Sequence, residues 1–436
     1  MRKLYLGVAL LACIQQPVHA QLLHTQGVFN QLNTVNRQLD ATTEQLRRQA
    51  ERDLQLKQTT DNLANTTNRL LKLPNQLPIL NSEGKTAFVD VVVENGWRAV
   101  QQEWLIMLDE NEFASLQQLP VTIVEKTRFA ELDMTLVRFQ VPAELDSLAA
   151  LKKQLPASLA ARIDRNHIYS AQTASTTSAE RSSTTSVCQD AVKIGMIDTA
   201  IKLDHPVFKT ENPDNSIVTK NFLEEKITEP EAHGTAVAGL LIGKGDELKP
   251  LLPNAHLYAA SVFYTRNEYA QGATMINLVR ALNWLSAENV NVINMSLAGP
   301  DNQILSAVIA KLISNDKAIV AAAGNEGPAA PAVYPAAYPG VIAVTAVDRK
   351  QKIYRWANRG DYIYFAAPGV SVLTALSNGG IGRESGTSMA APVVSAFLSC
   401  ELQKNDMATA LKNLQARAID LGEPGRDAIF GYGLLQ

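Results

Sequence analysis

Beyond residue 191 the sequence alternates between short apolar runs and longer amphipathic stretches. The apolar runs predict strands at 192–197, 257–262, 290–293, 318–323 and 341–347, and the amphipathic stretches between them predict helices such as 273–287. Strands that are apolar on both faces are typical of parallel sheets covered by helices on each side. We therefore expect a doubly wound, mostly parallel α/β sheet over residues 191–436, with its chemistry beyond the carboxyl ends of the strands.

Three short motifs place polar side chains at the ends of these predicted elements. Asp198 follows the first strand within residues 195–199 (Gly-Met-Ile-Asp-Thr), and His233 begins a helix. Ser388 opens an apolar helix within residues 386–392 (Gly-Thr-Ser-Met-Ala-Ala-Pro), where unsatisfied backbone N–H groups and the positive end of the helix dipole favour an oxyanion. A serine hydroxyl becomes a good nucleophile when an imidazole takes its proton, and a carboxylate behind the imidazole fixes its tautomer.

A fourth polar side chain follows another predicted strand. Asn325 comes just after residues 318–323 and can donate its side-chain amide to a tetrahedral intermediate, beside the Ser388 backbone N–H. Taken singly, each of the four side chains has a structural explanation: Asp198 and Ser388 as helix caps, His233 as a packed imidazole and Asn325 as a turn residue. Together they favour catalysis, because the order Asp, His, Ser is that of subtilisin and differs from the order in α/β-hydrolases.

With these motifs, residues 191–436 resemble the catalytic domain of the subtilisin-like (subtilase, S8) serine peptidases. Three more segments are similar to family signatures: 293–299 (Ile-Asn-Met-Ser-Leu-Ala-Gly), 338–344 (Tyr-Pro-Gly-Val-Ile-Ala-Val) and 366–370 (Ala-Ala-Pro-Gly-Val). The resemblance implies a serine endopeptidase with Ser388 as nucleophile, His233 as general base and then acid, and Asp198 as orienting carboxylate. It also implies Asn325 and the Ser388 N–H as the oxyanion hole.

The same resemblance indicates where a protein or peptide substrate would bind. An extended strand should lie antiparallel along four residues of the cleft: Ser296, Leu297, Ala298 and Gly299. Val333 stands just before Tyr334-Pro335, at the base of the pocket for the side chain ahead of the scissile bond, where the family commonly has glycine. If Val333 faces the pocket, small side chains are preferred and self-processing falls at Ala171 or Ala174 rather than at Tyr169. If it points away, a longer Tyr, Phe or Leu side chain fits.

Residues 81–170 follow a different plan. Their predicted elements have the order βαββαβ of a ferredoxin-like sheet with two helices on one face: 103–108, 112–119, 121–125, 134–140, 145–155 and 161–169. By element order this small α+β segment resembles the inhibitory propeptide of subtilases, so the chain's own pro-region is an expected partner. Residues 171–190 form a linker, because ten of the seventeen residues at 171–187 are Ser or Thr and cannot bury enough apolar surface to offset their ordering entropy.

The N-terminal eighty residues contain a predicted export signal and a predicted helix. Residues 1–20 have a basic start, an apolar run and a small residue, Ala20, at the cleavage site, which is typical of a secretory signal peptide. Export to the periplasm or the medium is the favoured interpretation, and lipid anchoring at Cys13 is the alternative. Residues 21–80 carry Leu and Val at near-heptad spacing, which favours an amphipathic helix packing on its own chain over a long coiled coil.

Composition excludes several classes of partner. Forty Lys and Arg against 43 Asp and Glu give a net charge of −3, so no global charge favours nucleic acid. No apolar run beyond the signal is long enough for a transmembrane helix. The family often binds calcium, but the segment 243–253 offers only two carboxylates for such a site, Asp246 and Glu247. No cofactor is expected. Cys188 and Cys400 could pair or remain two buried thiols, and the sequence favours neither.

These observations predict an exported serine endopeptidase made as a self-processing zymogen. The alternative is a non-proteolytic envelope scaffold that keeps the subtilase fold and presents its cleft to a partner. The four separated polar side chains argue against a scaffold, which has no need of them.

Overall fold

A computed structural model describes residues 73–171, 186–209, 216–224, 226–267 and 270–436. The predicted signal peptide, most of the helical segment 21–80 and most of the Ser/Thr-rich linker lie outside the described residues. The described residues from 73 onward form one compact unit.

The first described region is a small α+β module. Its elements are β1 (Gln76–Leu80), β2 (Thr86–Val92), β3 (Arg98–Met107), α1 (Phe113–Gln117), β4 (Thr122–Phe129), β5 (Met134–Gln140), α2 (Leu148–Gln154), α3 (Ala157–Ala160) and β6 (Ile163–Ala171). From β3 onward the order is the predicted βαββαβ, with the second helix divided because Pro156 disfavours a helical conformation at Leu155. The core of the module packs Trp104, Phe139 and Leu151 between the sheet and the helices.

The predicted domain boundary at residue 80 is wrong. The predicted helical segment includes residues 76–80, but these residues form the strand β1, which pairs antiparallel with β2, and β2 in turn pairs with β3. The hairpin of β1 and β2 therefore belongs to the sheet of the α+β module.

The second region is the α/β domain. Its strands are β7 (Lys193–Asp198), β8 (Ser216–Asn221), β9 (His256–Ser261), β10 (Tyr264–Thr265), β11 (Gln271–Thr274), β12 (Val292–Met295), β13 (Leu297–Ala298), β14 (Ala318–Ala322), β15 (Ile342–Val347), β16 (Ile363–Pro368), β17 (Val372–Ala375) and β18 (Ile381–Glu384). Its helices are α4 (Ala232–Ile242), α5 (Met275–Ala287), α6 (Gln303–Ser314), α7 (Thr387–Glu401) and α8 (Met407–Arg417). The central sheet has the order β16-β15-β14-β12-β7-β9-β8, and its neighbours are parallel.

Both faces of this sheet are buried, which explains why its strands are continuously apolar. Within β7, Ile194 and Met196 face a core that contains α4 and α7, whereas Ile197 faces a second core that contains α5 and α6. The doubly wound parallel fold expected from the sequence is thus confirmed. The carboxyl ends of β7, β12 and β14 meet at one edge of the sheet, where the candidate site lies.

Two further contacts hold the regions together. β6 of the α+β module pairs antiparallel with β11 and β13 of the α/β domain, so one sheet crosses from the module into the domain. A disulfide joins Cys188 to Cys400 in α7 and thereby ties the start of the domain to that helix. In the part of the chain that the structure describes, no helix combines the length and apolarity needed to cross a membrane.

Candidate active site

Asp198 and His233 form a buried pair at the edge of the sheet. Asp198 ends β7 and is fully buried, and His233 is the second residue of α4. The His233 Nδ1 lies 2.7 Å from Asp198 Oδ1, which also accepts a hydrogen bond from the Thr199 backbone N–H. A carboxylate can only accept, so Nδ1 donates and the basic lone pair of the neutral imidazole is on Nε2.

Gly234 allows this pair to form. A Cβ at Gly234 would lie 2.3 Å from the Thr199 carbonyl oxygen and 2.7 Å from that of Ala200. The Gly234 N–H instead donates to the Thr199 hydroxyl at 2.7 Å. The first turn of α4 therefore docks directly on the turn after β7, which brings His233 to Asp198.

Ser388 is the second residue of α7 and is buried at the start of that helix, which packs against α4. The carbonyl of Ser388 would normally accept a hydrogen bond from the residue four positions later, but Pro392 has no N–H. The Ser296 hydroxyl donates to this carbonyl at 3.0 Å instead. This bond connects the predicted substrate strand to the helix that carries Ser388.

Asn325 is oriented by the residue before Ser388. Its Oδ1 accepts hydrogen bonds from the backbone N–H and the hydroxyl of Thr387, both at 3.0 Å. The amide oxygen is committed to Thr387, so the amide nitrogen is the atom of Asn325 that can donate to an oxyanion.

The chain places one of its own strands in the predicted substrate cleft. β6 runs antiparallel to the strand at residues 297–298, with Ala171 opposite Leu297 and Ser170 opposite Ala298. On its other side, β6 pairs with β11. Leu297 and Ala298 therefore pair with an extended antiparallel strand of the chain itself, and substrate binding along Ser296 to Gly299 stays a prediction.

Tyr169 fills a pocket beside this strand. Its side chain is fully buried, and its hydroxyl donates to the Pro300 carbonyl oxygen at 2.7 Å. A Cβ at Gly299 would lie only 2.3 Å from Tyr169 Cδ1, so the ring uses the space that glycine leaves open. Burial raises the pKa of the Tyr169 hydroxyl well above its ordinary value, which keeps it a neutral donor.

Val333 is buried. It lies next to the substrate strand, since the neighbouring Tyr334 exchanges two backbone hydrogen bonds with Gly299. Its position is compatible with the pocket base, and the shallow pocket stays a prediction. Of the expected processing positions, Ala171 ends β6, and Ala174 lies outside the described residues.

Two titratable residues of β6 are buried against the start of α6. Nδ1 of His167 lies 2.9 Å from the Asn302 amide nitrogen, which donates to it. Burial lowers the pKa of His167 to about 4. Asp164 accepts a hydrogen bond from the Gln303 N–H at 2.9 Å, and its burial raises the pKa of Asp164 to about 6. The contact between module and domain thus keeps His167 neutral and moves the protonation of Asp164 to a higher pH than is usual for a carboxyl group.

For metal binding, the described residues offer no cluster of three His, Cys, Asp or Glu side chains. Asp246 and Glu247, the carboxylates considered for calcium, are both exposed.

Several residues of the site were missed in the sequence. The second wall of the cleft, β11, was not predicted because its sequence, Gln-Gly-Ala-Thr, has no strand pattern. Its last two residues fall in the helix predicted from residue 273, and the helix itself begins at Met275. The sequence indicates Tyr169 only as a disfavoured cleavage position, whereas in the structure its buried side chain fills a pocket. Arg266, which contacts β6, and its partner Asp90 are distant in the sequence, so no local pattern could have joined them.

A model of the subtilase family matches residues 189–433. The chain belongs to this family. Subtilisin E from Bacillus subtilis is 32% identical over 253 residues, which are 56% of this chain and 64% of that protein. Subtilisin from Bacillus pumilus is 31% identical over 253 residues, which are 88% of that protein. The minor extracellular protease Epr from Bacillus subtilis is 32% identical over 210 residues, which are 32% of its length.

The chain thus spans about a third of Epr and just under two thirds of subtilisin E. The solved structure of fervidolysin from Fervidobacterium pennivorans, a keratinolytic enzyme related to subtilisin, superimposes with a TM-score of 0.62. The superposition covers 84% of this chain and 63% of the fervidolysin chain, and the sequence identity is 16%. This similarity shows that the two chains share a fold.

Proposed function

We propose that this subtilase is an exported serine endopeptidase that is synthesised as a zymogen and processes itself. The observation that carries the proposal is the buried hydrogen bond from His233 to Asp198, at the edge of the sheet where α7 presents Ser388. Catalysis needs no metal or cofactor in this scheme, since the nucleophile, the base and the oxyanion donors all come from the chain.

In the proposed reaction the Ser388 hydroxyl attacks the carbonyl carbon of the scissile peptide bond and passes its proton to His233 Nε2. Asp198 stabilises the imidazolium through Nδ1. The Ser388 N–H and the Asn325 amide stabilise the oxyanion, a type of contact whose loss typically costs about 100- to 1,000-fold in turnover. His233 then protonates the leaving amine, and water hydrolyses the acyl-enzyme by the same steps in reverse.

The position of β6 supports a zymogen. While residues 168–171 at the end of β6 pair with β11 and with Leu297 and Ala298, a protein substrate has no strand left to pair with. Cleavage in the linker that follows would free the cleft once the α+β module dissociates. We accordingly assign residues 81–170, together with the preceding strand β1, as an inhibitory pro-region, and residues 1–20 as an export signal.

A fluorophosphonate probe tests the proposed activity directly. The processed protein should be labelled at Ser388, as peptide mapping by mass spectrometry can show, and the Ser388→Ala and His233→Ala variants should not react. A folded, processed wild-type protein that does not react would favour the non-proteolytic scaffold.

A further inference from the structure

Arg266 lies between β10 and β11, and its guanidinium is buried against the strand that occupies the cleft. Its side chain is only 4% exposed. Nη1 donates a hydrogen bond to the Ser170 hydroxyl at 3.3 Å, and Ser170 is the residue of β6 opposite Ala298. A cation of the α/β domain thus contacts one defined side-chain position of the docked strand.

The charge that balances Arg266 comes from the α+β module. Asp90 in β2 is fully buried, and its Oδ2 lies 2.9 Å from Arg266 Nε. The same oxygen accepts a hydrogen bond from the Tyr264 hydroxyl, and the other carboxylate oxygen pairs with Arg98. Asp90 is therefore shared by two arginines, and Nη2 of Arg266 has no hydrogen-bond partner in its buried position.

Release of the pro-region changes this balance. Asp90 and Arg98 depart together, whereas Arg266 stays with the β10–β11 hairpin at the wall of the cleft. A guanidinium in such a recessed place is poorly solvated, and its planar fork matches a carboxylate in a two-bond geometry. A carboxylate on a bound peptide at the Ser170 position can replace the one that Asp90 supplied.

We propose that Arg266 determines substrate specificity in the processed enzyme, which prefers peptides with Asp or Glu at the position of Ser170. This inference rests on the proposed function, because it describes peptides that the same cleft would cleave. Side chains alternate along a strand, so the acidic residue follows the side chain that replaces Tyr169 in its pocket and precedes the one that replaces Ala171. The pro-region itself can carry a neutral serine there because Asp90 already supplies a carboxylate to Arg266.

Quenched fluorescent peptides based on residues 167–174 (His-Ile-Tyr-Ser-Ala-Gln-Thr-Ala) test this preference. Three further peptides replace the serine with Glu, with its neutral isostere Gln, or with Lys. The full chain is allowed to process itself and the active enzyme is purified. We expect kcat/KM to be roughly tenfold higher for the Glu peptide than for the Gln peptide, a difference of about 1.4 kcal/mol, because only Glu can form a hydrogen bond between two charged groups with Arg266. The Lys peptide should have the lowest kcat/KM. The preference should weaken at high salt.

Variants of Arg266 test whether this side chain causes the preference for Glu over Gln. Arg266→Gln should reduce the Glu-to-Gln ratio to within twofold of unity, and Arg266→Lys should retain part of it. Arg349→Ala, which removes an exposed charge in the turn after β15, should leave it unchanged. A Glu-to-Gln ratio near unity in the wild-type enzyme, or a ratio that survives Arg266→Gln, would overturn the proposal. If the variants do not fold, the wild-type ratio alone still tests it. If no peptide is cleaved by any form, the proposed peptidase function itself fails.

Discussion

The packing of the Tyr169 ring against Gly299 leads to a quantitative prediction for Gly299→Ala. The new Cβ would lie 2.3, 2.6 and 2.7 Å from three carbons of the Tyr169 ring. An ordinary contact between carbon atoms is about 3.5–4.0 Å, so the ring must move by about 1 Å. It cannot do so freely, because it is fully buried and its hydroxyl donates to Pro300.

Overpacking a closed site typically costs about 1–3 kcal/mol, and loss of the tyrosine hydrogen bond would add about 1 kcal/mol. We therefore expect Gly299→Ala to lower the free energy of unfolding of the intact chain by about 2–4 kcal/mol. The measurement is urea unfolding of the full chain in a Ser388→Ala background, which prevents the proposed self-processing during the experiment.

Tyr169→Ala is the matched control, since it removes the ring that the new methyl group would meet. In a double-mutant cycle the cost of Gly299→Ala should fall below about 1 kcal/mol once Tyr169 is alanine. An equal cost in both backgrounds would show that the methyl group acts on the α/β domain itself, and that Tyr169 does not occupy the space left by Gly299.

Three other features give predictions of their own. In the same Ser388→Ala background, the Asp164→Asn variant should lose about 3 kcal/mol of unfolding free energy between pH 6.5 and pH 4, because acid must protonate the buried His167. The His167→Gln variant should instead gain stability over this range, because burial favours the protonated form of Asp164. Stability profiles identical to the parent's would contradict both expectations. Val333→Gly should shift cleavage of peptides from Ala toward Phe ahead of the scissile bond, and an unchanged preference would refute the shallow pocket. Reducing the Cys188–Cys400 bond, which spans a sequence separation of 212, should destabilise the chain by about 5 kcal/mol in the loop-entropy model, and an unchanged unfolding midpoint would contradict this.

The parts of the fold that the sequence predicted are those with strong local signals. β7, β14 and β15 are continuously apolar because both faces of the sheet are buried, and each was placed within one or two residues. Asp198 and His233 were expected together because each ends or begins such an element, and the structure brings them together.

The missed parts depend on contacts between distant segments. β1 contains Pro78 and is largely exposed, so neither its composition nor an apolar alternation indicated a strand; it is held by pairing with β2. The short β11 is likewise defined by pairing with β6. The ion pair of Asp90 and Arg266 requires both of these hairpins, and it could be found only after the fold had placed them side by side.

The mass of the purified full chain over time tests the central claim most directly. If Ser388 carries out self-processing, the wild-type chain should be cut in the linker after residue 170, and the Ser388→Ala variant should keep its full mass under the same conditions. Loss of the nucleophile typically costs on the order of a million-fold in turnover, so no slow residual processing is expected. A purified Ser388→Ala chain that shortens at the wild-type rate would contradict the account.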